Sequence, residues 1–546
     1  MNTQLTVGEE IFLDIKRIGI NGEGIGYYKR LAIFVDGVLP KENVLVKITK
    51  LYRGYATAEL VELKTPSQDR ETPFCPYYTK CGGCSLQHVK YEATRDIKRD
   101  ILMESITRYT KINPRSFEVK PTILMENPKN YRAKVNLPAK NGMHGAVFGL
   151  YAPNSEKFIR IKGCDVQNEA INLIMDEVAK AMDKYAVKAY DPKNKKGYVR
   201  YLVARASVYS KEIQVTLVLT KELPTIKELA EEIMKNTKVS SVYYSINNNL
   251  DDASIFGKDI VKVSGKDCIK EKIGDYYYNL LPNSFFQLNP IQAKLLYDEV
   301  KKAAKLSFKE NVLDAYCGVG SIGIYLAKWA KEVVGVESNK QAVLNAKENA
   351  NINKIKNIRF IEGNASNVLP YLVKDHFIPD VMVFDPPRTG MTPDIKEAIK
   401  KCLPKRIVYV SCNPASLAKD LAELTQNYQV KYIQPIDMFP YTSHVETVTL
   451  LQRKDIDDRL KVRFDLENLP LVKEETKATY QEIKDYIYNK YNVKVSTLNI
   501  AQTKTKYGII ERECYNKPKD DDSRQPKCTR EKEEMIIDAL KHFKML

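Results

Sequence analysis

A predicted strand, a glycine-rich turn and the start of a helix follow one another across residues 311–323, and no other segment limits the fold as strongly. The apolar run at its start predicts a buried strand, and Gly318, Gly320 and Gly323 follow in the pattern Gly-x-Gly-x-x-Gly. Glycines at this spacing permit a tight turn and a close approach of ligand to backbone. The next apolar run ends in Glu337, whose carboxylate can accept hydrogen bonds from a ribose. The sequence therefore predicts a doubly wound α/β domain that binds its ligand beyond the strand ends.

Two later strand ends distinguish between the cofactors that such a turn can hold. Nicotinamide dinucleotides and S-adenosylmethionine both present an adenosine ribose, so the turn alone leaves both open. Asp385-Pro-Pro-Arg388 closes a later strand with a rigid floor that lacks N–H donors, which suits a flat base better than a pyrophosphate. Cys412 follows the next strand, and His444 and Glu446 lie on the last predicted hairpin. Taken alone, a cysteine in the position of Cys412 is more often a buried small hydrophobe, but beside a carboxylate at the cofactor's sheet edge it becomes a candidate nucleophile.

Three cysteines stand close together in the chain, and a fourth follows much later. Cys75, Cys81 and Cys84 have the spacing C-x5-C-x2-C, and Cys164 is the distant fourth thiol. An iron–sulfur cluster needs four converging thiolates, and the pair Gly82-Gly83 lets the backbone wrap closely. A structural zinc site uses the same ligands, so the spacing leaves both metals open.

The charge and length of the chain favour a large protein with a polyanionic partner. The 546 residues carry a formal net charge of +17, as expected for a nucleic-acid-binding protein, although solvated lysine faces produce the same charge. The N-terminus has no basic and apolar leader pattern, and no long apolar run suggests a membrane span. Ten cysteines are too few for a secreted disulfide scaffold. We expect a cytoplasmic monomer without membrane contact.

The sequence predicts four segments along the chain. Residues 1–64 alternate short β-rich runs with glycine turns, as in a small OB-like β-barrel. Residues 65–275 are expected to form a central α+β domain with the cysteine site. Residues 276–454 form the α/β domain, in which Asn289 caps a helix that begins with a proline. Residues 455–546 predict a helical tail.

The tail has its own pattern. Two helices are predicted near 480–490 and 496–504, which suggests a helix-turn-helix or winged module. A polar loop is expected from Arg512 to Arg530. The candidate phosphate contacts in this segment are Lys504, Lys506, Lys517 and Lys519, for which a solvated face is an equal alternative.

The combination of motifs resembles a known enzyme family. The matching residues are the four cysteines, Ser284-Phe-Phe-Gln287, Asp314-Ala-Tyr-Cys-Gly318, Asp385-Pro-Pro-Arg388, Ser411-Cys-Asn-Pro414 and His444-Val-Glu446. Residues 1 to about 454 thereby resemble the RNA 5-methyluridine methyltransferases, the uracil-C5 family that acts on ribosomal and transfer RNA. The N-terminal segment resembles a TRAM domain, an OB-like RNA-binding barrel, through Gly22-Glu-Gly24-Ile-Gly26, Ile33-Phe-Val35 and Tyr55-Ala-Thr-Ala58.

The resemblance implies a multidomain α/β protein whose catalytic domain is a Rossmann-like, seven-stranded S-adenosylmethionine-dependent methyltransferase. It implies that the cofactor is contacted by Gln287, Tyr316, Glu337 and Asp385, with Ser321 and Asn364 as further candidates. It also favours iron–sulfur over zinc, so that a 4Fe-4S cluster is expected on Cys75, Cys81, Cys84 and Cys164. Among family members the sequence looks most like those acting on 23S ribosomal RNA; transfer RNA is the alternative substrate.

The chemistry of uracil agrees with the implied roles of Cys412 and Glu446. C5 of uracil is too weak a nucleophile to take a methyl group, but addition of the Cys412 thiolate at C6 raises the electron density at C5. Glu446 would then remove the C5 proton, and the target uridine must leave its stack, which favours unstructured or locally melted RNA. His444 is expected to orient Glu446 or Asp437, or to be a structural donor. Arg388 is expected to hold a uracil carbonyl or a phosphate, and a purely structural role is an equal alternative for it. A cytosine-C5 enzyme is disfavoured because uracil needs no protonation at N3, and a non-catalytic iron–sulfur RNA-binding protein is the rival from another class.

Overall fold

The computed structural model describes residues 5–143, 145–153, 155–249, 254–454, 478–507, 509, 528–543 and 545–546. The chain divides into two compact units, Met1–Asp458 and Arg459–Leu546. None of the described helices is both long enough and apolar enough to cross a bilayer.

The N-terminal strands close into the predicted barrel. They are β1 (Glu10–Ile18), β2 (Gly24–Tyr28), β3 (Leu31–Val35), β4 (Asn43–Leu51) and β5 (Tyr55–Thr65), paired in the order β1-β2-β3-β5-β4. The alternation of apolar and polar residues puts Ile33, Val44 and Val46 in a fully buried interior. Gly26 lies where a Cβ atom would come within 2.5 Å of the Leu13 side chain, so the barrel wall needs a glycine there.

A helical segment and a large antiparallel-rich sheet follow the barrel. The first elements are α1 (Tyr78–Cys81), a short 3-10 helix (Tyr91–Ala93), α2 (Thr94–Tyr109) and β6 (Glu118–Val119). Next come β7 (Lys134–Gly142), β8 (Gly145–Tyr151), β9 (Phe158–Arg160), α3 (Glu169–Lys184), β10 (Val199–Ala206), β11 (Ile213–Leu219), α4 (Ile226–Met234), β12 (Val239–Ile246) and β13 (Ile260–Gly265). The seven strands β7–β13 form one sheet in the order β13-β12-β11-β10-β7-β8-β9. A hairpin of β14 (Ile269–Ile273) and β15 (Tyr276–Leu280) then leads to the α/β domain.

The α/β domain has the predicted doubly wound sheet. Its elements are α5 (Pro290–Ala304), β16 (Asn311–Ala315), α6 (Ser321–Ala327), β17 (Glu332–Glu337), α7 (Lys340–Ile352), β18 (Ile358–Glu362), α8 (Ala365–Lys374), β19 (Val381–Phe384), α9 (Pro393–Cys402), β20 (Arg406–Ser411), α10 (Pro414–Leu424), β21 (Tyr428–Ile436) and β22 (Glu446–Arg453). The strand order is β18-β17-β16-β19-β20-β22-β21-β6. The seven predicted strands are β16–β22, and β6 adds an eighth because it pairs in parallel with the edge strand β21. The order reverses between β16 and β19, where open α/β sheets bind ligands.

The second unit contains three described helices. They are α11 (Tyr480–Tyr491), α12 (Thr497–Lys506) and α13 (Arg530–His542). Capping boxes at Thr479 and Ser496 fix the starts of the two predicted helices, whereas α13 was not predicted. The Lys504 side chain is buried with its ammonium 4.5 Å from the Tyr480 ring centroid, so Lys504 is not the exposed phosphate contact expected from the sequence. The expected loop through residue 527 lies outside the described residues, as do Lys517 and Lys519.

Candidate active site

The turn after β16 is held in a left-handed conformation that the glycines make accessible. Tyr316, Gly318 and Gly320 have φ angles of +63°, +54° and +80°. A Cβ atom on Gly320 would lie 2.7 Å from the Phe360 ring, so only glycine fits beside that ring. The Gly318 backbone N–H donates to a carboxylate oxygen of Glu337 over 3.2 Å, which brings the acid at the end of β17 against the turn.

Three of the four residues predicted to bind the cofactor line one cleft at this turn. Gln287, Tyr316 and Asp385 share the cleft with Asp314 and Ser321. The fourth, Glu337, adjoins it through Gly318 and also accepts from the Asn339 backbone N–H over 2.8 Å. Asn364 follows β18 and does not line this cleft.

The buried Asp314 and the partly buried Asp385 on the cleft floor both have a raised pKa. Burial raises the pKa of Asp385 to about 7. Burial also raises the pKa of Asp314 to about 7, although its Oδ2 accepts a 2.7 Å hydrogen bond from the Gly323 N–H. The other Asp314 oxygen has no hydrogen-bond partner within the described part of the chain. A buried, under-satisfied carboxylate is costly by itself and favours the binding of a cationic or hydrogen-donating ligand.

Strand pairing brings Cys412 and Glu446 together. Strands β20 and β22 are antiparallel, and their last pair is Ser411 with Thr447. One step further along this register, Cys412 stands opposite Glu446. In antiparallel sheets such opposite residues have Cβ atoms about 5 Å apart. The thiol and the carboxylate therefore meet at the sheet edge, although 33 positions separate them in the sequence.

Both groups hold their protons more tightly than in water. Burial raises the pKa of Cys412 to about 11, and the nearby Glu446 and Asp385 carboxylates act in the same direction. The positive charge of Arg388 opposes them. Burial and Asp385 raise the pKa of Glu446 to about 8, which Arg388 and Lys98 only partly counteract. A carboxyl group with a pKa near the working pH is well suited to act as a general base.

The motifs around Cys412 are joined by hydrogen bonds. Asn413 caps α10 by accepting from the Ala415 N–H, and its side-chain amide donates to the Arg388 carbonyl over 2.9 Å. Arg388 in turn donates from Nη2 to Nδ1 of His444 over 2.9 Å. This chain of contacts fixes the loop after β19, the cysteine loop and the hairpin loop relative to one another.

The loop before Glu446 is held by a buried lysine from a distant helix. Lys98 on α2 donates to Asp437 Oδ1 over 2.6 Å, to the His444 carbonyl over 2.7 Å and to the Phe439 carbonyl over 3.3 Å. The Tyr91 hydroxyl donates to the other Asp437 oxygen over 2.9 Å. Asp437 is therefore paired with Lys98 and Tyr91. The expectation that the His444 side chain orients it is wrong, because that ring binds Arg388.

The four cysteines of the predicted cluster line one cavity of about 310 Å³, together with Arg132 and Tyr151 among others. Gly82 has a φ of +66°, and a Cβ atom there would lie 2.2 Å from Pro153, so the wrap between Cys81 and Cys84 requires a glycine. Across the described ranges, no three His, Cys, Asp or Glu side chains are grouped so as to hold a metal ion. The thiols surround a space without converging on one point.

Comparison with known proteins identifies the family. Residues 90–454 match the tRNA (uracil-5-)-methyltransferase family, and residues 4–61 match the TRAM domain. The chain belongs to the tRNA (uracil-5-)-methyltransferase family. The chain is 42% identical to an uncharacterized RNA methyltransferase from Bacillus anthracis, over 83% of this chain and 98% of the relative. It is also 42% identical to one from Halalkalibacterium halodurans, over 82% of this chain and 98% of that relative.

A solved structure supports the same assignment. It is the crystal structure of Pyrococcus abyssi tRNA (uracil-54, C5)-methyltransferase in complex with S-adenosyl-L-homocysteine, with 26% identity and a TM-score of 0.64, covering 81% of this chain and 100% of that one. The predicted family, the TRAM barrel and the enzyme class are thus confirmed. This uracil-5-methyltransferase family member uses S-adenosylmethionine and has RNA as its partner.

Sequence reasoning missed the residues of this methyltransferase that hold the hairpin loop. Lys98 and Tyr91 lie about 340 positions before Asp437, and no local pattern distinguishes a buried lysine from a solvated one. Only Asp437 itself, in an otherwise apolar stretch, gave a signal, because a buried carboxylate requires a partner.

The Lys98–Asp437 pair should contribute strongly to folding stability. Lys98→Met leaves Asp437 as an uncompensated buried charge, so we expect a loss of about 3–5 kcal/mol in the free energy of unfolding, measured by denaturant titration. Lys16→Met is the matched control, because Lys16 pairs with Asp14 at the surface with side chains 60% and 62% exposed, and we expect it to cost less than about 1 kcal/mol. Equal losses in the two variants would contradict a stabilising buried pair.

The raised pKa of Glu446 should appear as a pH-dependent stability. The folded protein keeps the Glu446 proton up to pH about 8, whereas an unperturbed glutamate ionises near 4.5. The resulting stabilisation is complete below pH 4.5 and is lost as the pH rises through about 8. Glu446→Gln stays neutral, so we expect its free energy of unfolding to rise relative to the native chain between pH 5 and pH 9, by about 1 kcal/mol or more. The exposed Glu397→Gln variant should show no such gain, and a pH-independent difference for Glu446→Gln would refute the shift.

Proposed function

We propose that this enzyme methylates C5 of a uridine in 23S ribosomal RNA through a covalent bond between the Cys412 sulfur and C6 of the base. The observation that carries the proposal is the register of β20 and β22, which sets Cys412 opposite Glu446. Asp385, a cofactor-cleft residue, raises the pKa of both groups. The nucleophile and the base thus lie beside the cleft proposed to hold the cofactor.

The residues divide the reaction between them. S-adenosylmethionine, bound by Gln287, Tyr316, Glu337 and Asp385, supplies the electrophilic methyl group. The Cys412 thiol first gives up its proton to water. The resulting thiolate adds to C6, and the electron pair of the C5–C6 double bond moves onto C5 and the C4 carbonyl. After C5 has gained the methyl group, the Glu446 carboxylate takes the C5 proton, the double bond re-forms and the sulfur leaves C6 as thiolate. Loss of the base should slow turnover by roughly 100- to 10,000-fold.

The choice of 23S ribosomal RNA rests on the combination of a TRAM barrel with four cysteines, which resembles the ribosomal-RNA members of the family. Transfer RNA is the second candidate, because the similar Pyrococcus abyssi enzyme is described as a tRNA (uracil-54, C5)-methyltransferase. The relatives at 42% identity are described only as RNA methyltransferases. The domain limits at 64, 275 and 454, the cytoplasmic location, the monomeric state and the tail module stay predictions.

We also propose that Cys75, Cys81, Cys84 and Cys164 hold a 4Fe-4S cluster. Their thiols line a cavity of about 310 Å³, and they do not form a single-ion site within the described residues. The choice of a 4Fe-4S cluster over one zinc ion rests on the resemblance to the uracil-C5 family. Such a cluster would link α1 to the loop that carries Cys164.

Trapping the covalent adduct tests the proposed chemistry and the substrate together. RNA that contains 5-fluorouracil has no removable C5 proton, so the adduct cannot resolve and should survive denaturing electrophoresis. We expect the adduct on 23S ribosomal RNA but not on transfer RNA, and its complete loss in Cys412→Ser. Cys402→Ser is the matched control, because Cys402 lies at the end of α9, and it should leave the adduct unchanged. An adduct only with transfer RNA would overturn the substrate, and an adduct in Cys412→Ser would overturn the nucleophile.

The cluster proposal predicts the metal content of the purified protein. Anaerobically purified enzyme should contain about four iron and four acid-labile sulfides per chain, measured by colorimetric assay. Cys84→Ser should lose most of this iron, whereas Cys268→Ser, at a half-buried cysteine outside the cavity, should retain it. One tightly bound zinc per chain, or equal iron in both variants, would contradict the cluster.

A further inference from the structure

The hairpin loop before Glu446 carries His444, whose ring is hydrogen-bonded to Arg388. We propose that the Nε2–H of His444 donates a hydrogen bond to O4 of the target uracil, selecting uracil over cytosine and stabilising the enolate that forms when Cys412 adds to C6. This inference rests on the proposed function. In this proposal His444 contacts the substrate, and Arg388 holds the His444 ring in position.

The contact with Arg388 fixes which ring nitrogen carries the proton. A guanidinium group can only donate hydrogen bonds, so Nδ1 of His444, 2.9 Å from Arg388 Nη2, must accept. The ring is therefore in the tautomer with its single proton on Nε2. Enclosure by the surrounding protein and the charge of Arg388 lower the pKa of His444 to about 4, which agrees with a neutral ring. No atom in the described part of the chain accepts a hydrogen bond from Nε2.

The ring is fixed in position and remains open to solvent. The His444 carbonyl accepts from Lys98 over 2.7 Å, and its N–H donates to the Thr442 hydroxyl over 3.3 Å. The Phe439 ring meets the imidazole edge to face at 6.1 Å between centroids. The residue nevertheless keeps a solvent-exposed surface. A donor held on several sides is pre-organised, so it needs little reorganisation during the reaction.

Arg388 joins His444 to the loop that carries Cys412. Its Nη2 donates to Nδ1 of His444 over 2.9 Å, and its carbonyl accepts from the side-chain amide of Asn413, the residue after Cys412, over 2.9 Å. A uracil whose C6 is near Cys412 and whose C5 is near Glu446 must direct its C4 carbonyl away from the C6 edge, because C4 is bonded to C5. His444 offers that carbonyl a neutral donor whose ring is held in place by Arg388.

A donor at this place distinguishes uracil from cytosine. Uracil presents a carbonyl acceptor at position 4, whereas cytosine presents an amino group that donates, and two facing donors repel each other. When the thiolate adds to C6, negative charge builds up on O4, so a donor at O4 binds the intermediate more strongly than the starting base. Removal of one such donor lowers kcat by roughly 10²–10³-fold in other enzymes.

The test compares His444→Phe and His444→Gln on the RNA fragment to which the adduct maps. His444→Phe keeps the ring without its nitrogens, and we expect kcat to fall roughly 10²–10³-fold while the Kd values for S-adenosylmethionine and RNA stay unchanged. His444→Gln retains a donor and should recover part of the lost rate. His376→Gln, at an exposed histidine outside the cleft, should retain the native rate.

A change at position 4 of the target base tests the hydrogen bond directly, because a purely structural role of His444 would not alter the response to it. A fragment with 4-thiouridine at the target presents sulfur, a weak acceptor, in place of O4. We expect the native enzyme to be slower on it than on uridine and His444→Phe to show no such difference. An equal effect of sulfur on both proteins, no effect on the native enzyme, or native kcat in His444→Phe would overturn the inference. Failure of the native enzyme to form the 5-fluorouracil adduct would instead overturn the proposed function.

Discussion

The buried ion pair between Lys98 and Asp437 is the interaction on which the proposed site depends. Two charges removed from water cost several kcal/mol each unless every polar atom is satisfied. Here the three ammonium protons have three acceptors, and Asp437 also accepts from Tyr91. Because these bonds hold Asp437 and the carbonyls of Phe439 and His444, the pair ties the 437–445 loop to α2. A helix near the N-terminus thereby determines the geometry of a hairpin near residue 446.

Charge in the proposed site is balanced through protonation. Asp314 and Asp385 line one cleft, the Asp385 charge also acts on Glu446, and burial raises the pKa of all three carboxyl groups. These carboxyl groups therefore stay protonated until a cation binds beside them, and a cationic methyl donor is such a ligand. Burial, together with the Glu446 and Asp385 carboxylates, raises the pKa of Cys412, and this protects an otherwise strong nucleophile from unwanted reactions. Arg388 opposes both effects from the rim of the site.

Local patterns were enough to predict most elements of the catalytic domain. Asn289 caps α5, Pro290 occupies its first turn and Leu296 is fully buried, as the sequence indicated, because caps and helical periodicity depend on neighbours within a few residues. The glycine turn also contacts Glu337 as expected, through the hydrogen bond from the Gly318 N–H. The partner of His444, strand β6 and helix α13 were not predicted, because each depends on contacts with residues distant in the chain.

The sequence by itself determined the chemistry available to this protein: the family, the glycine turn, the four cysteines, and a thiol and a carboxylate at strand ends. These features are encoded in residue type and short spacing, which a reader of the chain can recognise. Only the tertiary structure decided that Cys412 faces Glu446, that Arg388 sets the tautomer of His444, and that Lys98 holds the loop between them. The physical reason is that strand register and the pairing of buried charges are settled by packing between distant segments, where each polar atom must find a partner.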